Sequence, residues 1–180
     1  MNIALVVGWV GAVLAGCLVV AGVMFTMTRD IDTVAMIATM KRLLASGQAD
    51  RARKLATAAP GSVLDAVSAG IEAGMAAPGR ELSVVQRATS AAFDQVAARQ
   101  LRLRKARVEM TSIGMLASVG ALAQAAPVLG DALALVLVHG LVLAAGAWVA
   151  LRRHRLATDV ARTRTELMPT IVAVIARSSP

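Results

Sequence analysis

Hydrophobic and polar positions fall in blocks along this chain. From Ile3 to Met27 there is no charged residue. At about 1.5 Å per residue, that run crosses roughly 30 Å of hydrocarbon with some tilt. It predicts a first transmembrane helix over 3–27. A second apolar block, Met110 to Leu151, has no Lys or Arg and breaks once, at Ala126-Pro127-Val128-Leu129-Gly130-Asp131. It reads as two further spans, 110–129 and 131–151, joined by a tight turn. Each is near the minimum of about 20 residues for a crossing helix.

Between the blocks the pattern is amphipathic. Val34, Ile37, Met40 and Leu44 recur at helical spacing, with Lys41 and Arg42 off that face. Ser46-Gly47 ends this helix. A short helix follows over 50–59, stopped by Ala59-Pro60-Gly61. Ser62, with Asp65 three residues on, matches a helix N-cap with an acidic first turn, and a third helix runs to about Ala76. From Arg80 there is no Gly or Pro until Gly114, and Leu82, Val85, Ala88 or Thr89, Ala92, Val96 and Leu101 share one face. Residues 152–168 read as polar and helical, and Pro169 and Ser178-Ser179-Pro180 leave the end open. The fold class is therefore an all-α membrane protein with three transmembrane helices. A helical cytoplasmic region, 30–107, lies between the first and second spans, and a cytoplasmic C-terminal tail covers 152–180.

Charge fixes the orientation. Hydrophobic residues make up 57% and charged residues 17% of the chain, with a mean hydropathy of +0.68. That is less charge than a soluble domain carries. All 19 Lys and Arg lie between Arg29 and Arg107 or between Arg152 and Arg177. Both blocks belong on the cytoplasmic side, which places the N-terminus and the turn at Gly130 outside and the C-terminus in the cytoplasm. The formal net charge of +8 suggests nucleic acid, but two Phe, two Trp and no Tyr give base stacking almost nothing to use. No nucleic-acid partner is expected. The basic residues suit topology and anionic lipids.

Few residues carry chemistry. Cys17 sits in Leu14-Ala15-Gly16-Cys17, which has the shape of a lipoprotein box, but no basic residue precedes it and Leu18-Val19-Val20 continue the apolar run. It reads as a buried helix cysteine. Gly8, Ala12 and Gly16 fall four apart and Gly140 adds a small position in the third span, which suits close helix packing in lipid. Asp131, the one acid in the hairpin, is placed to cap the third span or to accept a proton. His139 lies about 12 Å further along that helix. It needs a hydrogen-bond partner, and Gln124 on the second span is at comparable depth. His139, Asp131 and Gln124 are thus candidates for a proton path, against a role for His139 in holding the hairpin together. Arg102, Arg104, Lys105 and Arg107 before the second span, and Arg152, Arg153 and Arg155 after the third, form a lipid-facing basic collar. No phosphate loop, metal-ligand spacing or nucleophile–base pair occurs. No catalytic residue, metal or cofactor is expected, and no enzyme activity.

The order of parts resembles the MotA/TolQ/ExbB family of proton-channel stator subunits, most closely its ExbB/TolQ side. Leu44-Ala45-Ser46-Gly47-Gln48-Ala49-Asp50-Arg51-Ala52-Arg53-Lys54-Leu55-Ala56 is similar to that family's cytoplasmic "L-x-x-G-(D)-x-x-x-A-x-x-L-A" segment. Leu116-Ala117-Ser118-Val119 and Ala126-Pro127-Val128-Leu129-Gly130 are similar to its second-helix pattern "L-A-x-I-A-x-x-A-P-L-L-G". Ala132-Leu133 and Gly140-Leu141 are similar to its third-helix pattern. The resemblance implies a bacterial inner-membrane, multi-pass subunit of a proton-motive-force-coupled transport or energy-transducing complex. It also implies a homo-oligomer of about five copies and a single-span ExbD/TolR-like membrane partner. The chain departs from the family where conduction is concerned. "A-P-V-L-G" stands at the turn rather than within the second helix. Ala132, Leu137 or Ala134 fall where the family has its polar pore residues. A non-conducting member is one expectation, a channel using His139 or Asp131 another. A membrane-anchored interaction scaffold with no link to ion flow is the reading outside the family.

Overall fold

The computed structural model describes residues 3–28, 32–58, 60–78, 81–126 and 133–177. Among these the chain is helical, with no strand. Eight helices follow in order: α1 (Ile3–Met27), α2 (Thr33–Ala45), α3 (Ala49–Thr57), α4 (Val63–Met75), α5 (Leu82–Ala125), α6 (Leu133–Leu151), α7 (Arg153–Glu166) and α8 (Met168–Arg177). Two of them, α1 and the helix that begins at Leu133, are long and apolar enough to cross a membrane, with mean hydropathies of 2.6 and 2.2 over their most apolar stretches. The turn expected at 126–131 falls mostly outside the described residues, as do Asp131 and the last three residues.

The chain divides into two compact units. One holds Met1–Thr28 and Arg104–Arg153, the other Arg29–Leu103 and His154–Pro180. Helix α5 contributes residues 82–103 to the second and 104–125 to the first, and runs without a break between them.

In the first unit, α1, residues 104–125 of α5, and α6 form a three-helix bundle. Gly8 lies beside Ala125 and Leu135, Gly11 against Ala121, Gly22 against Thr111, and Gly114 against Leu18 and the Ala15 carbonyl. Contacts on α1 thus rise in number as those on α5 fall, so the two helices are antiparallel. On α6, Leu135 meets Gly8 and Val142 meets Gly16, so α1 and α6 are parallel. The buried positions of α1 are Gly8, Ala12, Ala15, Val19, Gly22 and Thr26. They alternate in steps of four and three, the 3.5-residue repeat of a left-handed supercoil. All but Val19 and Thr26 are Gly or Ala, so neighbouring backbones come close. The large residues point away: Val10, Val13, Leu14, Val20 and Met24 on α1, Ile113 and Leu116 on α5, and Leu137 and Leu141 on α6 are all exposed. A bundle in water buries its large apolar side chains. This one is turned inside out, as suits a surrounding of hydrocarbon, where a Leu gains nothing from burial and van der Waals fit holds helices together.

The second unit follows the opposite rule. Its core gathers Met40 and Leu44 of α2, Leu64, Val67 and Ile71 of α4, Val85 and Phe93 of α5, and Met168, Ile171 and Ile175 of α8. Helix α4 is buried nearly all round. Local chemistry sets the ends of these helices. Asp32 Oδ1 accepts from the Val34 and Ala35 amides, both at 3.1 Å, and caps α2. At the other end of α2, Gly47 takes φ +74, and the Gly47 and Gln48 amides donate back to Leu44 O and Leu43 O at 3.0 and 2.9 Å. This is a Schellman turn, which needs a left-handed residue and so selects Gly. Ser62 caps α4 through the Leu64 amide, as its sequence position suggests. Asp65 Oδ2 accepts from the Gly61 amide at 2.6 Å and from Gln100 Nε2 at 3.0 Å, tying the start of α4 to α5.

Two details of the expected pattern differ. On α2 the buried set begins with Thr33, not Val34, which is 58% exposed. The helix starts at Thr33, and its inward stripe runs through Thr33, Ile37, Met40 and Leu44. The region after 152 also does more than trail away. Pro169 sits in the first turn of α8, where its missing N–H costs little, and α8 then lays Ile171 and Ile175 into the core.

Gly22→Val forces a branched side chain into Thr111, with a cost of about 1–3 kcal/mol from overpacking. The thermal transition of the detergent-purified protein should fall clearly, whereas Val20→Ala, on the exposed face of the same helix, should change it little. Equal effects would mean that α1 does not pack by this face.

Candidate functional site

The interior of the bundle holds one polar pair. Ser118 of α5 and His139 of α6 are both fully buried, and Ser118 Oγ and His139 Nδ1 share a hydrogen bond of 2.6 Å. On α5, Ser118 lies between Gly114, which faces Ala15 and Leu18, and Ala121, which faces Gly11. The pair is therefore level with the middle of α1, about 18 Å from its start at Ile3. Among the described residues the other ring nitrogen, Nε2, has no partner. A buried polar atom left unpaired costs about 1–3 kcal/mol, so this nitrogen is where a water would be held.

Gln124 is not the partner of His139. It is exposed, and two features explain this. The inward positions of α5 are Thr111, Gly114, Ser118, Ala121 and Ala125, which turns Gln124 outward. The pairings of Arg104 with Arg152, Met115 with Gly146, and Ser118 with His139 also set the hairpin register nearer Ser118. Ser118 escapes a sequence reading because serine is common in membrane helices. Its place at helical spacing from Thr111 and Ala125 is the one signal that marks it. Asp131 lies outside the described residues.

The small residues divide. Gly8 and Ala12 are buried against neighbouring helices. Gly16 is half-buried, with Val142 at 3.8 Å from where a Cβ would stand. Gly140 faces outward, and among the described residues nothing lies within 4 Å of where its Cβ would stand. Cys17 is exposed, not buried, because the inward stripe of α1 passes through Ala15 and Val19 on either side of it.

The basic collar divides too. Arg104 does not face lipid. It is 8% exposed, and its Nη2 donates to the Arg152 carbonyl at 2.9 Å. The bond ties the residue that follows α6 to α5. Arg107 is exposed and stands over the Phe25 ring, 5.6 Å from its centre. Arg152 is half-buried and stands over the Trp148 ring at 5.0 Å. Lys105 is exposed and 3.8 Å from Glu109. Arg102 and Arg155 are exposed, and the side chain of Arg153 lies outside the description.

No protein-family model, no curated protein and no solved structure matches the chain. The site therefore has to be read from its own geometry. Among the described residues no group of three His, Cys, Asp or Glu could hold a metal ion. What the arrangement offers is an interhelical hydrogen bond deep in an apolar bundle and a cluster of arginines where α1 and α6 end.

The hydrogen bond can be weighed directly. Ser118→Ala should lower bundle stability by about 0.6–1.7 kcal/mol, the range for such bonds between membrane helices, and His139→Leu should do no worse, because it also removes the buried Nε2 that has no partner among the described residues, while the Ser118 hydroxyl can turn to a carbonyl of its own helix. Unfolding of the two variants in mixed detergent micelles measures this. A His139→Leu protein much less stable than Ser118→Ala would show that the imidazole does more than pair with Ser118.

Proposed function

We propose that this protein is a multi-pass inner-membrane subunit of the ExbB/TolQ stator type, which assembles with copies of itself and serves as a non-conducting scaffold in an energy-transducing or transport complex. The observation that carries the reading is the bundle's packing: mostly small residues of α1 and α5 and a Ser–His pair inside with Val19, Leu135 and Val149, most large apolar side chains outside, and arginines gathered where α1 and α6 end. Three segments, 3–27, 110–129 and 131–151, then cross the membrane, with the N-terminus outside and the 30–107 and 152–180 regions in the cytoplasm. Helix α5, continuous from Leu82 to Ala125, is the kind of long helix the resemblance leads one to expect.

The non-conducting form is preferred because the polar content of the bundle closes on itself. Ser118 and His139 bond each other, the inward residues of α5 around them are Gly114, Ala121 and Ala125, and the Thr111 hydroxyl donates to the Arg107 carbonyl of its own helix. A proton path needs a succession of groups that accept and pass a proton, and among the described residues of this bundle no such succession is present. If the chain conducts, the path runs between copies.

Native mass spectrometry of the protein extracted in mild detergent tests the assembly. A closed multiple of the chain is expected, and a monomer overturns the stator reading. In a Cys17→Ser background, an Ile3→Cys variant should react with a membrane-impermeant maleimide in intact cells, and an Ala58→Cys variant only after lysis. The opposite pattern overturns the orientation.

A further inference from the structure

The second unit leaves a furrow between α5 and α8 that its own core does not fill. The two helices are antiparallel there. Gly70 of α4 faces Thr89 and Met168, and Gly74, one turn on, faces Val85 and Ile175 as well as Thr89. The furrow has a volume of about 470 Å³, within the roughly 300–1,000 Å³ usual for a small-molecule site. Phe93, Met168 and Val172 underlie it, and all three are buried. Leu82 stands at one end, 58% exposed. From Leu82 to Phe93 the furrow follows α5 for about 16 Å. A trough of that length between two helices suits an extended alkyl chain better than a compact ring system.

The polar lining is confined to Gln86, Ser90 and Arg164. The Ser90 hydroxyl donates to the Gln86 carbonyl of its own helix. Arg164 Nη2 donates to Asp94 Oδ2 at 2.8 Å, and among the described residues its other N–H groups bond nothing. A guanidinium has five such donors in all, so most of them are open to an acceptor. The charge at this end is already balanced, because Asp94 offsets the cation. A second carboxylate here would meet a like charge. The carbonyl of an ester or amide takes the spare donors without that repulsion. The floor therefore suits hydrocarbon, and the Arg164 end suits an acceptor oxygen without charge.

We propose that this furrow binds a neutral single-chain amphiphile, an acyl ester or amide, with its alkyl chain over Phe93, Met168 and Val172 and its carbonyl on Arg164. The inference goes beyond the stator reading and does not rest on it, since every residue involved lies in the second unit.

A diazirine analogue of monodecanoylglycerol tests this. It is irradiated with the full-length protein in phosphatidylcholine nanodiscs, and the label is mapped by peptide mass spectrometry. Label should concentrate in 82–93 and 164–173 and be displaced by excess monodecanoylglycerol. Decanoate, with the same chain but a charged head, should compete about tenfold less well, the effect of a like charge close by near a protein surface. Asp94→Asn removes that like charge from a side chain 44% exposed. It should change binding of the neutral probe less than about twofold and raise decanoate to an equal competitor. Ala173→Trp fills the furrow and should remove most of the label, with circular dichroism as the check on folding. Arg164→Leu, a change at the surface, should weaken labelling about tenfold, the loss of a hydrogen bond from a charged donor. Label spread along α1 and α6 without displacement, decanoate competing equally in the wild type, or no gain for decanoate with Asp94→Asn overturns the proposal. So does a disulfide-linked dimer of Ala173→Cys in the Cys17→Ser background, which would put a second copy in the furrow. None of these results bears on assembly of the bundle, so failure here and failure of the stator reading are distinct.

Discussion

The first unit depends on how closely α1 can approach its neighbours. At Gly8, Gly11 and Gly22 an added Cβ would run into Leu135, Ala121 and Thr111. At Gly11 and Gly22 the neighbour is a short side chain with no room to move, whereas at Gly8 it is the end of a flexible Leu. Because the helices touch there, the relative height of α1, α5 and α6 is fixed, and that height decides the rest. It brings Ser118 level with His139 and Met115 level with Gly146, and it lets Arg104 reach the Arg152 carbonyl. In hydrocarbon this fit is the main force available, since burying a larger side chain gains nothing over leaving it in lipid.

The second unit is held by another principle. Phe93, Met40, Leu44, Leu64 and Ile71 lose nearly all exposure there, as expected where water drives burial at roughly 25 cal/mol per Å². Glycine still matters at one crossing. Gly70 and Gly74 of α4 leave room for Thr89 of α5 and for Met168 and Ile175 of α8. Ion pairs such as Lys41–Glu166 and Arg164–Asp94 lie at the rim, where each contributes little. One chain thus carries two packing rules: mostly small residues along the inner face of α1 in one unit, and large apolar side chains gathered in a core in the other.

At the centre of the bundle Ser118 and His139 bond α5 to α6, and the other buried hydroxyls, Thr26 and Thr111, donate to carbonyls of their own helices. The arginines separate in the same manner. Arg104 serves the fold from within, while Arg107 and Arg152 stand on aromatic rings at the edge. Residues that look alike as a basic run take different work once the helices are placed.

Much of the fold was legible in the residues. The uncharged run 3–27, the Ser46-Gly47 stop, the Ser62 cap and the freedom from Gly and Pro between Arg80 and Gly114 all have local causes: hydrophobic length, a left-handed turn, an oxygen at the right spacing, an absence of breakers. The local pattern did not reveal which serine meets His139, which arginine is buried, that Cys17 faces outward, or that α8 returns to the core. Those depend on the height and rotation of one helix against another. A shift of nearly two turns in the hairpin register, with a rotation of α5, exchanges Ser118 for Gln124 with no change in composition or periodicity. The sequence by itself determined where helices form and which stretches suit hydrocarbon, because those follow from neighbours along the chain. Only the tertiary structure decided which side chains meet, because close contact between helices is set by the shapes of both surfaces together.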